Sequence, residues 1–300
     1  MLSSKHYTAA IASFVIWGFI SFGLKPLHEY PSTDILFYRI FFCVGLMLFI
    51  NLAFTRKKFI DAKKVYSGMP PTEKKKLILA TAVSGLLLAA NWFFFIYVMN
   101  HVSVKTASFA YLVCPILTTV LAFFILKEKL GREQWGAVAL SVAGCVLLSM
   151  DAFQDIFYSL IVASTYALYL VIQKKITIID RFLLLNIQLV IACLVLLPFF
   201  PSFSGPVPQE FKFYGYILIM AVVFTIIPLF LNLYALKAIK SSTVGILLYI
   251  NPIIGFLLAA FYYGEEISAM QIIAYSLILI SIFIFNIRVI FPKRTEAVQQ

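Results

Sequence analysis

Arg39 is the one lysine or arginine set well inside an apolar run of this chain. A guanidinium makes bidentate contacts with carboxylates and phosphates, so the chemistry open to it is the anchoring of an anionic group. The bland alternative is a side chain that reaches back to lipid headgroups, which its place five residues past Asp34 permits. Asn91-Trp92 sets an amide beside an indole in another apolar run. An amide at that depth needs a partner, either a neighbouring helix or a substrate. Pro115 and Pro252 interrupt two further runs. Each proline deletes a backbone donor and frees the carbonyl four residues earlier, as a hinge or as a plain kink. Asn251 adds a polar group beside Pro252, and Trp17, Tyr38, Tyr97, Tyr111, Tyr169 and Tyr249 flank these sites as candidate cavity walls or packing. The expected substrate contacts are therefore Arg39, Asn91, Trp92, Tyr38, Tyr111, Tyr249, Asn251 and Trp17, with Pro115 and Pro252 as hinges.

Other chemistries find no residues to carry them. There is no H-E-x-x-H or G-x-S-x-G string and no P-loop, and His6, His28 and His101 all stand at or near run ends. Asp34, Glu128, Asp151, Asp155 and Glu265 also stand at ends, with Glu128 and Glu265 read as structural ends or gate pairs. Proton-coupled carriers commonly use a buried carboxylate, so were this chain a carrier, facilitated transport or exchange, or coupling outside the usual carboxylate relay, would be expected. Cys43, Cys114, Cys145 and Cys193 lie in apolar runs as packing residues. No enzymatic activity, metal or cofactor is expected.

Of the 300 residues, 62% are hydrophobic and 12% charged, against roughly 25% charged in a soluble domain. The apolar runs have the length of a membrane-crossing helix, about 20 residues. The pattern predicts an all-α membrane protein of ten transmembrane helices, near 7–24, 35–54, 77–98, 104–126, 132–150, 155–173, 182–200, 213–236, 242–263 and 268–289. The longest joint, 55–76, carries Pro70-Pro71, and a turn-rich joint surrounds Pro201, Gly205, Pro206 and Pro208.

The net charge of +11 invites a nucleic-acid reading. Placed on the spans, however, only Lys25, Lys105 and Lys212 of the 24 basic residues fall in outer joints, Arg39 lies in a span, and the rest are inner. That is a positive-inside signal, and it sets both termini in the cytoplasm. No nucleic-acid partner is expected.

Shifting the chain by 137 positions lays Tyr97 on Tyr234, Thr106 on Thr243, Pro115 on Pro252, Glu128 on Glu265 and Gln134 on Gln271. Spans three to five thus repeat as eight to ten, giving five-helix halves over 1–150 and 151–300. Five is odd, so the second half inserts upside down. Lys127-Glu128-Lys129 accordingly becomes Gly264-Glu265-Glu266, and Asn100 and Ser103 become Lys237 and Lys240. Inverted repeats are the mark of secondary transporters with a site near the midplane.

These features, with the strings Phe14-Val15-Ile16-Trp17-Gly18, Asp34-Ile35-Leu36-Phe37-Tyr38-Arg39, Asn91-Trp92-Phe93-Phe94-Phe95, Tyr249-Ile250-Asn251-Pro252 and Tyr262-Tyr263-Gly264-Glu265, resemble the EamA family of the drug/metabolite transporter superfamily, in its RarD-type branch. The chain departs from that branch at Cys114, where Asn is usual, and at Leu170, where glycine is expected. The resemblance implies a multi-pass protein of the cell membrane, the bacterial inner membrane. It would move, in the export direction, a small metabolite, amino acid or drug-like compound by alternating access. Small-molecule substrate and membrane lipid are the partners implied, and a second copy, as a homodimer, is a candidate. The alternatives are a non-transporting membrane receptor or assembly protein and an intramembrane enzyme.

Overall fold

A computed structural model describes residues 2–54, 56–102, 104–149, 156–264 and 268–290. Among them all regular structure is helical. The expected repeat boundary at 150/151, together with Asp151, Asp155, Glu265, Glu266, Lys293 and Arg294, lies outside the described residues. Helices α1 (Leu2–Gly18) and α2 (Ile20–Leu24) lead to α3 (Ser32–Phe54), α4 (Arg56–Ser67), α5 (Pro71–His101), α6 (Val104–Leu126) and α7 (Arg132–Ser149). The chain continues with α8 (Ile156–Lys175), α9 (Arg181–Leu196), the short α10 (Phe200–Phe203), α11 (Phe211–Ala221), α12 (Ile227–Leu236), α13 (Ser241–Leu247), α14 (Ile250–Phe261) and α15 (Ala269–Ile290).

Among the described residues eight helical spans are long and apolar enough to cross a membrane, and nine if α1 and α2, bent by 43°, are one span. This falls short of the expected ten. The shortfall is α7, which stands at the fifth expected position but opens on Arg132-Glu133-Gln134. That polar first turn lowers the mean apolarity of the described part of the helix, Arg132–Ser149. The expected polar joint at 55–76 also holds a helix, α4. Its polar, basic composition carries no membrane-span signal. Lys58 of α4 pairs with Asp180 at 3.2 Å, and Asp180 in turn accepts from the backbone N–H groups of Phe182 and Leu183 at the start of α9. Pro71 opens α5, where its missing N–H costs nothing.

The two expected proline breaks differ. Pro115 sits inside a continuous α6, whereas the ninth span is divided at Leu248–Tyr249, with Pro252 in the first turn of α14. A third proline does more. Pro228 cannot donate to the Phe224 carbonyl, and the helix widens there into a π-turn over Val222–Ile226. The indole N–H of Trp17 donates to that Phe224 oxygen at 2.8 Å, and the Ser13 hydroxyl donates to the Pro228 oxygen at 3.0 Å. Both donors come from α1, which packs along α12.

The remaining packing ties early helices to late ones. α5 lies against α8 and α9, α6 against α8 and α13, α3 against α9 and α11, and α7 against α15. The α7–α15 contact is close. Ser141 donates to Ser281 at 2.8 Å, and a Cβ added at Gly144 would stand 2.9 Å from Ile278 Cγ1 and 3.0 Å from the Ala274 backbone oxygen. Small residues of this kind let membrane helices approach without a hydrophobic drive. Lys127, just after α6, and Gly264, just after α14, hold left-handed backbone at φ 55° and 67°.

Two substitutions test this account. Gly144→Val overpacks the α7–α15 seam and is expected to cost about 1–3 kcal/mol, read as a lower thermal midpoint in detergent. Trp17→Phe keeps the ring but strands the Phe224 carbonyl, with an expected cost of about 1–3 kcal/mol. An unchanged midpoint in Trp17→Phe would show that another donor serves the break.

A central cluster of arginine and aromatic side chains

Arg39 stands seven residues into α3, about 10 Å along the helix from its start at 1.5 Å per residue. Its guanidinium carbon lies 5.2 Å from the centre of the Trp92 ring on α5, a cation–π distance. It shares its surroundings with Cys43 of α3 and Tyr111 of α6. The ring of Tyr111 lies 5.3 Å from Phe95 and 6.5 Å from Tyr166 of α8, and Tyr166 meets Trp17 edge-on at 6.2 Å. Trp17, Arg39, Trp92 and Tyr111 are half-buried, whereas Cys43, Cys114 and Tyr166 around them are buried. Five helices, α1, α3, α5, α6 and α8, thus bring one cation and four large aromatic rings together. The Phe224 carbonyl, through its bond to Trp17, holds one wall in place.

Two buried polar atoms in this cluster have no hydrogen-bond partner: Nε of Arg39 and the hydroxyl of Tyr166. Among the described residues no carboxylate lies within ion-pair distance of Arg39. Asp34, one and a half turns earlier, is buried but accepts from the backbone N–H of Gly205 at 2.9 Å.

Other expected site residues fall elsewhere. Asn91 is buried, and its amide donates to the Val162 carbonyl at 3.0 Å and to the Thr165 hydroxyl at 3.2 Å, joining α5 to α8. Tyr38 packs against Phe213 and Tyr214 of α11, with ring centres 5.3 and 5.9 Å away. Tyr249 is fully buried with Val138, Cys145 and Phe285 in the core between α7 and α15, its hydroxyl 4.0 Å from the Cys145 sulfur. Asn251 is half-buried in the first turn of α14. Tyr97 stacks on His101 at 4.3 Å and lines an apolar groove on α5 and α8 with Phe93, Phe94 and Tyr158. Tyr169 is buried, its hydroxyl donating to Gln188 at 3.4 Å. The two departures noted in the sequence fill core space: Cys114 lies beside Thr118 at 3.7 Å, and Leu170 is fully buried.

Tyr166 and a set of buried amides belong to no motif that marks them in the sequence. Gln173, Asn186, Gln188 and Asn232 are all buried on α8, α9 and α12. Gln188 donates to Ser84 at 2.8 Å, while both amide atoms of Gln173 and of Asn232 lack partners. The available signal was simply a polar side chain in the middle of an apolar run.

Toward the lysine-rich end, one carboxylate spans two distant segments. Glu128 accepts from the backbone N–H groups of Ser241 and Ser242 at 2.8 and 3.1 Å and from the Ser242 hydroxyl at 2.5 Å. It therefore caps the start of α13, the positive pole of a helix dipole. Lys174 donates to the Leu236 and Ile239 carbonyls at 2.8 and 2.6 Å, and Lys240 to the Lys129 carbonyl at 3.0 Å. Among the described residues no group of three His, Cys, Asp or Glu is placed to hold a metal ion.

Known proteins share this build. A Bacillus subtilis protein described as an uncharacterized transporter, YojE, is 30% identical over 97% of this chain and 95% of its own length. The RarD protein of Escherichia coli is 29% identical over 95% of each chain. A solved crystal structure shares the fold, with a TM-score of 0.72 over 94% of this chain and 96% of that one at 15% identity. The profile of the EamA-like transporter family matches residues 4–150 and again residues 155–287. With that double match over a helical, multi-pass chain, the protein belongs to the EamA-like transporter family.

Proposed function

We propose that this membrane transporter is a secondary carrier of the bacterial inner membrane that exports a small metabolite, amino acid or drug-like compound by alternating access. The observation that carries the reading is the cluster at Arg39. It draws on helices of both halves of the chain and holds polar atoms that nothing in the described chain satisfies. Arg39, Trp92, Trp17 and Tyr111 are the substrate contacts in this reading, and Asn91 positions α5 against α8. Tyr38 and Tyr249 pack in separate clusters and support the helices rather than the substrate in this reading. Facilitated transport or exchange, or coupling outside a carboxylate relay, remains what this residue set favours, since the buried Asp34 stands at the start of α3 engaged with Gly205.

An inverted ten-helix repeat underlies the mechanism. Three facts support it. The left-handed residues Lys127 and Gly264 are 137 positions apart, the register of the sequence repeat. That register exchanges Ser141 with Ile278 and Gly144 with Ser281, so the Ser141–Ser281 and Gly144–Ile278 contacts are images of each other, as a two-fold axis requires. The order of the spans likewise matches α5 on α8, third on sixth, with α12 on α1, eighth on first. The placement of the lysines supports an inward-facing basic end with both termini on that side.

In this scheme Glu128, clasping Ser241 and Ser242, closes the basic end, and Pro115 and Pro252 are the points about which the halves bend. The halves rock when the clasp opens.

Three measurements follow. Purified protein in liposomes is expected to show saturable flux of its substrate, and Arg39→Gln to lower that flux about 10–100-fold, the loss of one charge-assisted contact. Folded protein with no flux for any small metabolite would replace the carrier by a receptor or assembly protein. Glu128→Ala is expected to speed alkylation of Cys43 and Cys114, both fully buried in this conformation; an unchanged rate would remove Glu128 from the gate. Tags at the two termini are expected to be reached only from the cytoplasmic side, and labelling of either from outside would refute the orientation.

A further inference from the structure

We propose that the substrate is a small monocarboxylate with a flat apolar body and no amino group. Its carboxylate neutralises Arg39 and accepts from the Tyr166 hydroxyl, while Trp17, Trp92 and Tyr111 hold its body. This rests on the carrier reading of the same site and narrows it.

The starting point is an uncompensated charge. Arginine remains protonated in proteins, and a cation within a membrane span needs a compensating group. Trp92 covers one face of the guanidinium at 5.2 Å, but a ring face offers only a partial charge. No described carboxylate pairs with Arg39, and Asp34 is engaged with Gly205. The buried Nε edge is left without an acceptor. A guanidinium edge of this kind matches the two oxygens of a carboxylate. The missing acceptor is therefore supplied from outside the chain.

The rest of the cluster sets the class of anion. Tyr166 is 4% exposed, and its hydroxyl has no partner. It neighbours Tyr111, which itself shares the surroundings of Arg39. Two donors, one charged and one neutral, suit a single negative charge. A phosphate dianion would call for a second cation, and no other arginine or lysine lies well within a span. An amino acid would bring an ammonium group, and no aspartate or glutamate lies deep in a span to receive it. The rings of Trp17, Trp92, Tyr111 and Tyr166 favour a planar apolar body over a sugar, whose hydroxyls would go unpaired.

The test uses the full chain in detergent and reads the thermal midpoint against probe concentration at constant ionic strength. The probes are benzoate, phenylacetate and indole-3-acetate, set against benzamide, benzylamine, phenylalanine and phenyl phosphate. A saturable upward shift is expected for at least one carboxylate. Benzamide, benzylamine, phenylalanine and phenyl phosphate are expected to need at least about tenfold higher concentration for the same shift, the worth of one charge-assisted contact. Arg39→Gln should abolish the carboxylate response and Tyr166→Phe should weaken it several-fold, while both keep a cooperative transition that shows they are folded. Arg39→Lys should restore part of the response. Equal or stronger shifts from benzamide, phenylalanine or phenyl phosphate would overturn the proposal. So would an undiminished response in Arg39→Gln or the absence of a shift with every carboxylate. Carboxylate binding without flux in liposomes would instead sink the carrier reading and leave the site's preference for anions standing.

Discussion

Inside hydrocarbon there is no water to satisfy a backbone carbonyl or N–H, so each one freed by a break in a helix must find a partner in the protein. The architecture follows from that constraint. At Pro228 the break frees the Phe224 carbonyl, and Trp17 takes it from a helix more than two hundred residues away in sequence. At the start of α13 the exposed N–H groups are met by Glu128. Past the end of α12 the exposed carbonyls are met by Lys174. In each case the partner comes from another helix or joint. The side chains that satisfy the backbone are therefore the ones that hold the helices together, and Trp17 does this while forming a wall of the central cluster.

That double duty shapes how the cluster can respond to a ligand. Arg39 and Tyr166 carry the unsatisfied atoms, whereas the groups beside them are already committed: Trp17 to Phe224, Asn91 to Val162 and Asp34 to Gly205. Committed groups fix the shape of the site, and uncommitted ones are free to recognise. The division is uneven between the halves of the chain. The 137-residue register sets Pro228 opposite Asn91, and Pro115 lies in an unbroken helix where Pro252 follows a break. On the proposed repeat, a pseudo-symmetric scaffold surrounds an asymmetric centre, which suits a ligand that has no symmetry of its own.

Most of the spans were legible in the sequence because a bilayer imposes a length and an absence of charge that few other structures share. Arg39 was legible for the same reason, as a lone violation of the rule. The misses have equally physical sources. Helix α4 is polar and basic, so in a scale tuned to lipid it reads as a joint. Helix α7 stands at the fifth expected position, and its polar first turn blurs the apolar signal of its described part. Tyr38 adjoins Arg39, and Tyr249 lies two residues before Asn251. Residues one and two apart on an α-helix, at 3.6 residues per turn, point about 100° and about 200° apart, and these two rings turn into separate packing clusters. Tyr166 has no such neighbour to advertise it. Its place beside Tyr111 and Trp17 exists only once α8 lies against α5 and α6.

Lys127 shows two demands meeting at one residue. Its φ of 55° belongs to a conformation that glycine adopts freely and that costs an ordinary residue about 1–2 kcal/mol. The matched position, Gly264, carries the residue the backbone prefers. What lysine offers in exchange is charge, and charge acts earlier, while the chain is still being threaded into the bilayer and no packing exists. On the proposed orientation, this residue serves biogenesis at a standing expense to the finished fold. A sequence optimised only for the stability of the folded state would replace it with glycine, and would thereby weaken the signal that decides which way up the protein is made.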